Sequence, residues 1–351
     1  MFSVPDEKPM KKVLVLGYFG YRSNQLDGQT IKTRNIMRLL QENIGPVDWF
    51  DTQDIRVRKV SLFKMFWKIG KCDTLIYIPA QANLKFFFPF IYLLSCVARV
   101  RIHYFIVGGW LYEMAGHLPL HRFMLKRICG IHSETNLLKE NLTRGFGFGN
   151  VDVFPNFRFF DFEHEECRWH EGLRLVFMAR IRKEKGLGAI FSLGDFIERK
   201  GLQDKIIIDF YGPLFIEDED YFLKGVERYP FMNYRGLLSP EQIYRILQHY
   251  DALLLPTRYF TEGLPGSVVD AYISGIPVIV TKWQYADEFV QNNETGIIIP
   301  FNDGQAELNQ AVCELLTDPE KLLDMKRKAL RKSRDFSAET AWSLMKDLLD
   351  K

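Results

Sequence analysis

The sequence predicts an α/β protein built from two Rossmann-like, doubly wound domains. Short apolar runs alternate with segments of helical periodicity, and the alternation occurs in two separate series along the chain. Continuous apolar strands alternating with helices are typical of a parallel sheet that is covered on both faces. A length of 351 residues also suits two domains of ordinary size better than one. Two such domains facing each other would place a ligand cleft at the carboxyl ends of both sheets.

The first series begins with the apolar run 11–16, which is followed by the glycine-bearing loop that contains Gly17 and Gly28. Apolar residues recur at helical spacing in the next segment, 30–40. The further strands predicted in this series are 74–78, 102–107, 128–132 and 151–154, with helices at 86–98 and 134–142. This order predicts a first domain over residues 1–165.

The stretch 155–172 combines Pro, Asn and dense charge, and it indicates a linker between domains. A second series then predicts a domain over residues 166–335, and we expect the helix 336–351 to pack back on the first domain. The strands predicted in this series are 173–178, 206–211, 252–256, 278–281 and 296–299. The predicted helices are 187–200, 240–248, 266–274, 286–292 and a long helical tail.

Charge is divided unequally between the two halves. The formal net charge is +2, but residues 1–160 contain 22 of the 46 Lys and Arg and only 12 of the 44 Asp and Glu, which leaves 24 and 32 for the rest. A basic first half indicates an anionic partner, either nucleic acid or a membrane surface. The five cysteines include no C-x-x-C pair, so we expect neither a disulfide framework nor a zinc site. The polar residues 1–10 do not predict a signal peptide.

Two apolar segments of the first half bear on membrane contact. The segment 86–98 is too short for a bilayer span and is interrupted by Pro89, so we interpret it as a buried or membrane-touching helix, with core burial favoured. The segment 60–72 has the pattern of a basic, aromatic amphipathic helix suited to an anionic bilayer, and 121–127 would add to it. The alternative is a surface helix that packs on its own sheet. The residues that make the pattern are Leu62, Phe63, Lys64, Phe66, Trp67, Lys68 and Lys71.

The segment 257–277, TRYFTEGLPGSVVDAYISGIP, carries the strongest chemical signal. It places Glu262 in a loop after an apolar strand, and residues 263–267 lead into a helix. The unpaired N–H groups at that helix start, with the helix dipole, would suit a diphosphate. Asp270, expected in the first turn, could accept hydrogen bonds from ribose hydroxyls. The alternative is that both carboxylates only stabilise the helix N-terminus.

A second motif follows the first strand of the second series. In the sequence FMARIRKEKG the predicted strand ends just before Arg180. Lys185 and Gly186 then lie at the start of the next predicted helix. Two cations at the carboxyl end of a neighbouring strand could reach the same anion. Such a charge cluster is otherwise the solvated face of a helix.

Together these motifs resemble the donor-binding half of the retaining GT-B glycosyltransferases, specifically family 4, over residues 173–335. That family has R-x4-K-G after the first strand of the domain, then E-G-x-P, E-x7-E and a G-x-P turn. The matching residues are Arg180, Lys185, Gly186, Glu262, Gly263, Pro265, Gly275 and Pro277. The run LDGQTIKTRN resembles bacterial capsule and exopolysaccharide transferases.

The resemblance implies a retaining transfer of a hexose-type sugar from a nucleotide diphosphate sugar, with a UDP-sugar expected, to a glycan or polyprenyl-diphosphate-linked acceptor. It implies that Arg180 and Lys185 stabilise charge on the leaving diphosphate and that Glu262 binds sugar hydroxyls. Asp270 would bind the ribose, although the family usually has Glu there. The other donor-binding positions that it implies are Gly17, Gly28, Tyr211, Gly212, Arg235, Gly236, Leu237, Gly263, Leu264, Pro265, Gly266 and Ser267.

The acceptor side matches the family less well. Many members have His-Asp after the strand equivalent to 102–107, whereas this chain has Gly108, Gly109 and Trp110 there. Trp110, Glu113 and His117 are the acceptor-side candidates, and ordinary core or surface roles remain open for all three. No D-x-D motif lies near a predicted strand end, and no His and carboxylate cluster has ligand spacing, so we expect no metal and no cofactor.

The resemblance also implies partners and a location. In this fold the first domain holds the acceptor, so its basic character favours an anionic membrane surface over nucleic acid. We expect a cytoplasmic protein that is peripheral on the inner face of the cell membrane.

Other classes of protein share strand–glycine–helix units. A nicotinamide-dependent oxidoreductase would have G-x-G-x-x-G after the first strand, and GYFGYRSNQLDG lacks that pattern. A glycan phosphorylase would need a pyridoxal-binding lysine and a far longer chain. A nucleotide-sugar epimerase of the same fold and a catalytically weak, membrane-bound nucleotide-sugar-binding scaffold remain as alternatives.

Overall fold

The computed structural model describes residues 12–22, 25, 27–165 and 171–350. The expectations for residues 1–10, Cys167 and part of the 155–172 linker therefore lie outside the described residues. The chain divides into two compact units, one of residues 1–154 with 342–351 and the other of residues 155–341. The division after Phe154 comes eleven residues before the domain boundary expected from the sequence.

The sheet of the first unit has six parallel strands in the order β2-β1-β3-β4-β5-β6. Their bounds are β1 Val13–Gly17, β2 Asp48–Asp51, β3 Thr74–Ile78, β4 Arg101–Phe105, β5 Gly130–Ser133 and β6 Val151–Val153. Strand β1 is buried along its whole length because it lies between β2 and β3. Its unbroken apolar run is what a strand covered on both faces needs.

Seven helices connect these strands within the first unit: α1 Gly28–Ile44, α2 Gln53–Val57, α3 Ser61–Ile69, α4 Gln81–Ala98, α5 Leu111–His117, α6 Pro119–Leu125 and α7 Asn136–Phe146. Helix α1 begins at a capping box, in which the Asp27 carboxylate accepts a 2.9 Å hydrogen bond from the Thr30 N–H. The Thr30 hydroxyl oxygen in turn accepts from the Asp27 N–H. This reciprocal pair satisfies two backbone donors and fixes where the helix starts.

Helix α4 departs from the sequence-based expectation in two ways. Pro89 lies inside it without ending it, and the helix runs through all 18 residues of Gln81–Ala98. A proline has no N–H, so the carbonyl of Lys85 loses its helical donor. The Nε2 of His121 on α6 lies 3.0 Å from that carbonyl oxygen and replaces the missing donor. The expectation of core burial is also wrong, because only one face of α4 is buried.

A buried ion pair fastens α1 to the sheet of the first unit. The Lys32 ammonium lies 2.7 Å from the Glu134 carboxylate and 2.7 Å from the Ile106 carbonyl oxygen. Both charged side chains are buried. Burial lowers the pKa of the Lys32 ammonium, and the attraction of Glu134 opposes this shift only in part. Removing either partner would leave a buried charge uncompensated.

The second unit also has a parallel sheet of six strands, in the order β12-β11-β10-β7-β8-β9. Their bounds are β7 Leu173–Met178, β8 Ile206–Tyr211, β9 Met232–Tyr234, β10 Ala252–Leu255, β11 Val278–Thr281 and β12 Gly296–Ile299. The connecting helices are α8 Leu187–Arg199, α9 Glu219–Glu227, α10 Ile243–Leu247, α11 Gly266–Ile273, α12 Ala286–Phe289, α13 Gln305–Thr317 and α14 Pro319–Lys332. The last helix, α15 Ala338–Asp350, begins in residues of this unit and ends in residues of the first.

The strand order creates a switch point in the middle of the second sheet. From β7 the chain proceeds outward through β8 and β9, then returns to β10 on the opposite side of β7. Strands β7 and β10 are parallel neighbours, so their carboxyl ends lie at the same edge. Ligands of open α/β sheets bind in the crevice outside such a switch point.

Candidate functional site

The loop after β7 is pressed against the end of β10. A short 3-10 turn, Lys183–Lys185, leads to Gly186, whose φ is 94°. A Cβ at Gly186 would overlap the carbonyl oxygen of Pro256, the residue after β10, so only glycine fits between the two segments. The Arg258 N–H also donates a 2.8 Å hydrogen bond to the Glu184 carbonyl oxygen. Backbone contacts therefore set the position of Lys185.

Lys185 and Glu262 form an ion pair at this switch point. The Lys185 Nζ donates a hydrogen bond to Glu262 Oε2, with Lys185 buried and Glu262 half-buried. The Tyr259 ring centre lies 6.0 Å from the same Nζ. The structure thus brings together the cation of one predicted motif and the carboxylate of the other, which are 77 residues apart in the chain.

Arg180 lies five residues before Lys185 in the sequence, and its environment differs from that of Lys185. It follows β7 by two residues and is half-buried. Its guanidinium carbon lies 6.0 Å from the centre of the Phe215 ring, and that of Arg182 lies 5.2 Å from the same ring. Among the residues that the structure describes, no carboxylate pairs with Arg180. Its charge is therefore available to an anionic ligand.

The loop from Glu262 to α11 is closely packed. Gly263, Leu264 and Pro265 are buried, and the Leu264 carbonyl oxygen accepts a 2.7 Å hydrogen bond from the Asn156 side chain. Pro265 has an extended backbone and precedes the first residue of the helix, as the sequence predicted.

The first residues of α11 carry two backbone donors without a protein acceptor. The first intrahelical bond of α11 is donated by Val268 to the Pro265 carbonyl, 3.1 Å away. Within the described part of the chain, the N–H groups of Gly266 and Ser267 have no acceptor, as is usual at a helix start. They are the donors that the sequence assigned to a phosphate.

Asp270 corrects an expectation. It is the fifth residue of α11 and so lies beyond the first turn. Its carboxylate is buried against Arg158, with the Oδ1 atom 2.8 Å from Nε and the Oδ2 atom 3.3 Å from Nη2. Burial alone would lower the pKa of the Arg158 guanidinium, but the Asp270 carboxylate outweighs that effect and the pKa is raised. Both oxygens that were expected to bind a ribose are thus engaged by an arginine of the same unit.

Sequence reasoning did not single out Arg158. It falls in the charge-dense stretch interpreted as a linker, where one more arginine carries no signal. Its Nη2 atom also occupies the space that a Cβ of Gly266 would enter, so this glycine leaves room for the guanidinium at the start of α11.

The donor-binding positions predicted at 211–212 and 235–237 lie at the end of β8 and just after β9. Gly212 has a φ of 146°, and a Cβ there would overlap the carbonyl oxygen of Ala179 after β7. The Gly212 N–H donates a 2.9 Å hydrogen bond to the Gly236 carbonyl oxygen. Gly236 has a φ of 81° with open space around it, and Leu237 is exposed. The two glycine turns therefore lie side by side, next to the end of β7.

The side chains of these segments belong to a polar network below the turns. The Asp209 carboxylate accepts a 2.7 Å hydrogen bond from the Tyr250 hydroxyl and lies 3.2 Å from Arg235 Nε. The Tyr211 hydroxyl is 3.1 Å from that of Tyr250. The hydrogen bond that Arg235 donates to the Asp209 carboxylate raises the pKa of the Arg235 guanidinium. Among the described residues of these segments, the glycine backbone, the half-exposed Arg235 side chain and the exposed Leu237 side chain are accessible to a ligand.

The remaining predicted residues belong to the first unit. Gly17 ends β1, and a Cβ there would lie 2.8 Å from Thr33 Cγ2 and 3.2 Å from the Ile78 carbonyl oxygen. Gly28 is the first residue of α1 and has nothing within 4 Å of that position. Of the loop between them, residues 23, 24 and 26 lie outside the described residues. Glycine is thus required at position 17 and not at 28.

The three acceptor-side candidates lie at the start of α5 and along it. The Trp110 indole N–H donates a 2.7 Å hydrogen bond to the Val107 carbonyl oxygen, which fixes the half-buried ring. Glu113 and His117 are exposed on α5. Across residues 12–22, 25, 27–165 and 171–350, no group of three or more His, Cys, Asp or Glu side chains is placed to hold a metal ion.

The two sheets define the class of protein by their fold. The structure of HepE from Anabaena solved with UDP and glucose superposes with a TM-score of 0.75, covering 97% of this chain and 99% of that one at 15% identity. The lipopolysaccharide outer core galactosyltransferase WaaB, solved in its apo form, superposes with a TM-score of 0.68 over 96% of this chain and 99% of its own, at 12% identity. At such identities the likeness concerns the fold, which is GT-B. The prediction of two Rossmann-like parallel sheets is thus confirmed.

Sequence comparison finds a family match for part of the chain. Residues 161–332, which are 172 of the 351 residues, match the family model of glycosyl transferases group 1. Two curated relatives are the amylovoran biosynthesis glycosyltransferase AmsK of Erwinia amylovora, 27% identical over 141 residues, and the capsular polysaccharide biosynthesis glycosyltransferase CapM of Staphylococcus aureus, 27% identical over 193 residues. These alignments cover 39% and 52% of this chain, and 34% and 48% of the length of the relatives.

Proposed function

We propose that this protein is a retaining glycosyltransferase of bacterial surface polysaccharide synthesis. It transfers a hexose-type sugar from a UDP-sugar to a glycan or a polyprenyl-diphosphate-linked acceptor. The observation that carries the proposal is the ion pair of Lys185 and Glu262 at the switch point of the second sheet. An arginine without a carboxylate partner among the described residues, Arg180, follows the adjacent strand.

The arrangement suits a donor diphosphate. Lys185 and Arg180 supply two positive charges after β7, and the free N–H groups at the start of α11 point to the same class of ligand. Charge that builds on a leaving diphosphate would be stabilised by these groups in the transition state. Glu262 neutralises Lys185 and would accept hydrogen bonds from the hydroxyls of the transferred sugar.

The names of relatives support the choice of substrates. HepE has been solved with UDP and glucose and with UDP-glucose. AmsK and CapM are named for amylovoran and capsular polysaccharide biosynthesis. A UDP-sugar donor and a glycan acceptor of this kind are therefore the substrates that we propose for this chain.

Retention of the anomeric configuration is proposed through front-face attack. In that reaction the acceptor oxygen forms a bond to the anomeric carbon as the bond to the diphosphate breaks, and the leaving phosphate oxygen takes the acceptor proton. Protein cations fill the role that a divalent metal fills elsewhere, so we propose that activity is independent of metal. Asp270 contributes by holding Arg158 beside the start of α11.

The first unit is proposed to contact the acceptor and an anionic membrane. Its excess of Lys and Arg favours the anionic lipids of the inner face of the cell membrane. A polyprenyl-diphosphate-linked acceptor would lie at the same surface. We therefore propose a cytoplasmic protein that binds peripherally to that membrane.

The test is a panel of UDP-, GDP- and ADP-sugars on the wild type and on Glu262→Gln. We expect a UDP-sugar to raise the melting temperature of the wild type and to be hydrolysed slowly by it. Glu262→Gln should lower transfer and hydrolysis by about 100-fold, the scale of losing one group that acts in the transition state. The matched control is Glu140→Gln, which removes one partner of the exposed pair with Arg144 on α7 and should change neither measurement.

Other outcomes would assign the site differently. If no nucleotide sugar stabilises the wild type, the proposed donor site is wrong. Accumulation of an epimerised nucleotide sugar without transfer would favour an epimerase, and stabilisation without any turnover would favour a scaffold. Retention itself is read from the anomeric configuration of the first product by NMR.

A further inference from the structure

Helix α4 has two apolar stripes on opposite faces. The inner stripe is buried in the first unit and consists of Leu84, Phe88, Ile91 and Ser95. The outer stripe, two residues out of phase, is 65%, 61%, 62% and 84% exposed at Phe86, Phe90, Leu93 and Val97, respectively. Both stripes follow the spacing i, i+4, i+7, i+11, so each occupies one side of the helix. A surface helix normally has a polar side where this helix has its outer stripe.

The neighbours of α4 extend the exposed apolar surface. Both α3 and α6 pack against α4, and they expose Phe63, Trp67 and Phe123. Singly exposed apolar side chains are ordinary on a protein surface, whereas a cluster of this size marks an interaction site. The outer stripe and these three side chains are called the apolar face below.

Positive charge surrounds the apolar face. The Lys71 ammonium lies 4.0 Å from the Trp67 ring centre, and the Arg127 guanidinium carbon lies 3.6 Å from that of Phe123. Helices α3, α4 and α6 contain no Asp or Glu, and their cations are Lys64, Lys68, Lys85 and Arg122. Of these, Lys68 is paired with Asp48 of β2. Exposed aromatic and aliphatic side chains bordered by cations match the interface of an anionic bilayer, with acyl chains beneath phosphate headgroups.

The inner stripe determines how α4 would meet such a bilayer. By length and composition alone, α4 is a helix that could cross a membrane. Its inner stripe, however, packs on the first sheet, where the Phe88 ring lies 6.2 Å from that of Tyr77. Crossing would strip these buried contacts and the hydrogen bond of His121 to the Lys85 carbonyl. Burying the outer stripe in the plane of the membrane keeps them all.

We propose that α4 is an in-plane membrane anchor that inserts its outer stripe, Phe86, Phe90, Leu93 and Val97, below the headgroups of an anionic bilayer. Lys64, Lys71 and Arg127 bind lipid phosphates at the same time. This inference rests on the proposed membrane contact of the first unit and adds insertion to charge attraction. It would orient α4 parallel to the membrane surface.

The test is flotation of the full chain with phosphatidylglycerol–phosphatidylcholine vesicles. We expect Leu93→Asp/Val97→Asp to lower the vesicle-bound fraction at least about tenfold, because two carboxylates would face the acyl region. Both positions are exposed, so the fold should persist, and hydrolysis of the UDP-sugar in solution serves as the readout for that. The matched control is Ile216→Asp in the second unit, at a position that is also 84% exposed, and it should bind vesicles like the wild type.

Three results would overturn the proposal. The first is a vesicle-bound fraction that is the same for the double variant, for Ile216→Asp and for the wild type. The second is wild-type protein in native membranes that resists extraction by alkaline carbonate, because a spanning helix stays and an in-plane helix is released. The third is a wild type that ignores vesicles and forms dimers that the double variant loses, which would make the apolar face a protein interface. Since sugar hydrolysis is measured separately, none of these results would decide the donor-site proposal.

Discussion

At the scale of single residues, Lys185 and Arg180 carry the same charge in different surroundings. Lys185 is buried and already paired with Glu262, whereas Arg180 is half-buried over the Phe215 ring. A buried, paired cation contributes to folding as well as to ligand binding, since removing it leaves a carboxylate uncompensated. Arg180 is therefore the cleaner position at which to measure a contribution to catalysis.

We expect Arg180→Ala to lower the rate of sugar transfer by about 100-fold or more, or about 2.7 kcal/mol, with little change in stability. The matched control is Arg182→Ala, which removes an equal charge from the same Phe215 ring. Transfer kinetics and thermal melting of the three proteins provide the measurement. Equal losses of activity in both variants would mean that only the general positive charge of this loop matters.

Asp270 shows which side-chain contacts the sequence could and could not predict. The motifs predicted that the cations after β7 could reach the same anion as the segment after β10, and the structure places Lys185 beside Glu262 where these neighbouring strands end. They gave no means of seeing that Asp270 would meet Arg158, which lies 112 residues away in a segment without secondary-structure signal. The spacing of a motif predicts which side chains lie on the same face of a helix. It does not predict which distant residue will contact them, because that depends on tertiary packing.

At the scale of elements, the loop after β7 depends on one glycine. The backbone of Gly186 is left-handed. The carbonyl oxygen of Pro256 also occupies the space that a side chain at this position would need. The position is therefore constrained both by conformation and by space. Lys185 reaches Glu262 because the two strand ends approach this closely.

We expect Gly186→Ala to be clearly more destabilising than Gly201→Ala. Both glycines have positive φ, but Gly201 has nothing within 4 Å of a Cβ, so it isolates the conformational cost of about 1–2 kcal/mol. Gly186→Ala adds steric overlap with backbone, which costs about another 1–3 kcal/mol and separates Lys185 from Glu262. Chemical denaturation followed by circular dichroism compares the two. Equal destabilisation would show that the β7 and β10 ends separate without cost.

Elements buried on both faces were the easiest to predict. Strands β3, β7, β8, β11 and β12 have the bounds expected from their continuous apolar runs. Strands β2, Asp48–Asp51, and β9, Met232–Tyr234, were not predicted, because their sequences DWFD and MNY contain no continuous apolar run. For helix α4 the sequence left core burial and membrane contact open and favoured burial, because apolar composition does not say which face packs on protein.

At the scale of the whole molecule, charge differs between the two parts of the chain. The first 160 residues hold nearly twice as many cations as anions, whereas the rest of the chain is acidic. Long-range attraction to an anionic surface would therefore act mainly on the first unit and would favour one orientation of the protein at a membrane.

We expect binding to anionic vesicles to weaken as salt is raised from about 50 to about 500 mM, because the Debye length falls from above to well below about 10 Å over that range. Zwitterionic vesicles should bind less protein at every salt concentration. Flotation across the salt series gives the measurement, and Ile216→Asp again serves as the control. Binding that is equal for both lipids and independent of salt would contradict a role for charge.

The ion pair of Lys32 and Glu134 has a consequence for synthesis of the chain. The two residues are 102 positions apart, so helix α1 leaves the ribosome long before its buried counter-charge exists. At about 5–20 residues per second, the delay is roughly 5–20 s. Until β5 follows, Lys32 has to stay in water, and α1 cannot settle on the nascent sheet. The docking of one of the earliest helices would therefore wait until β5 has been made, and a ribosome stalled before Glu134 would expose that helix to chaperones or proteases.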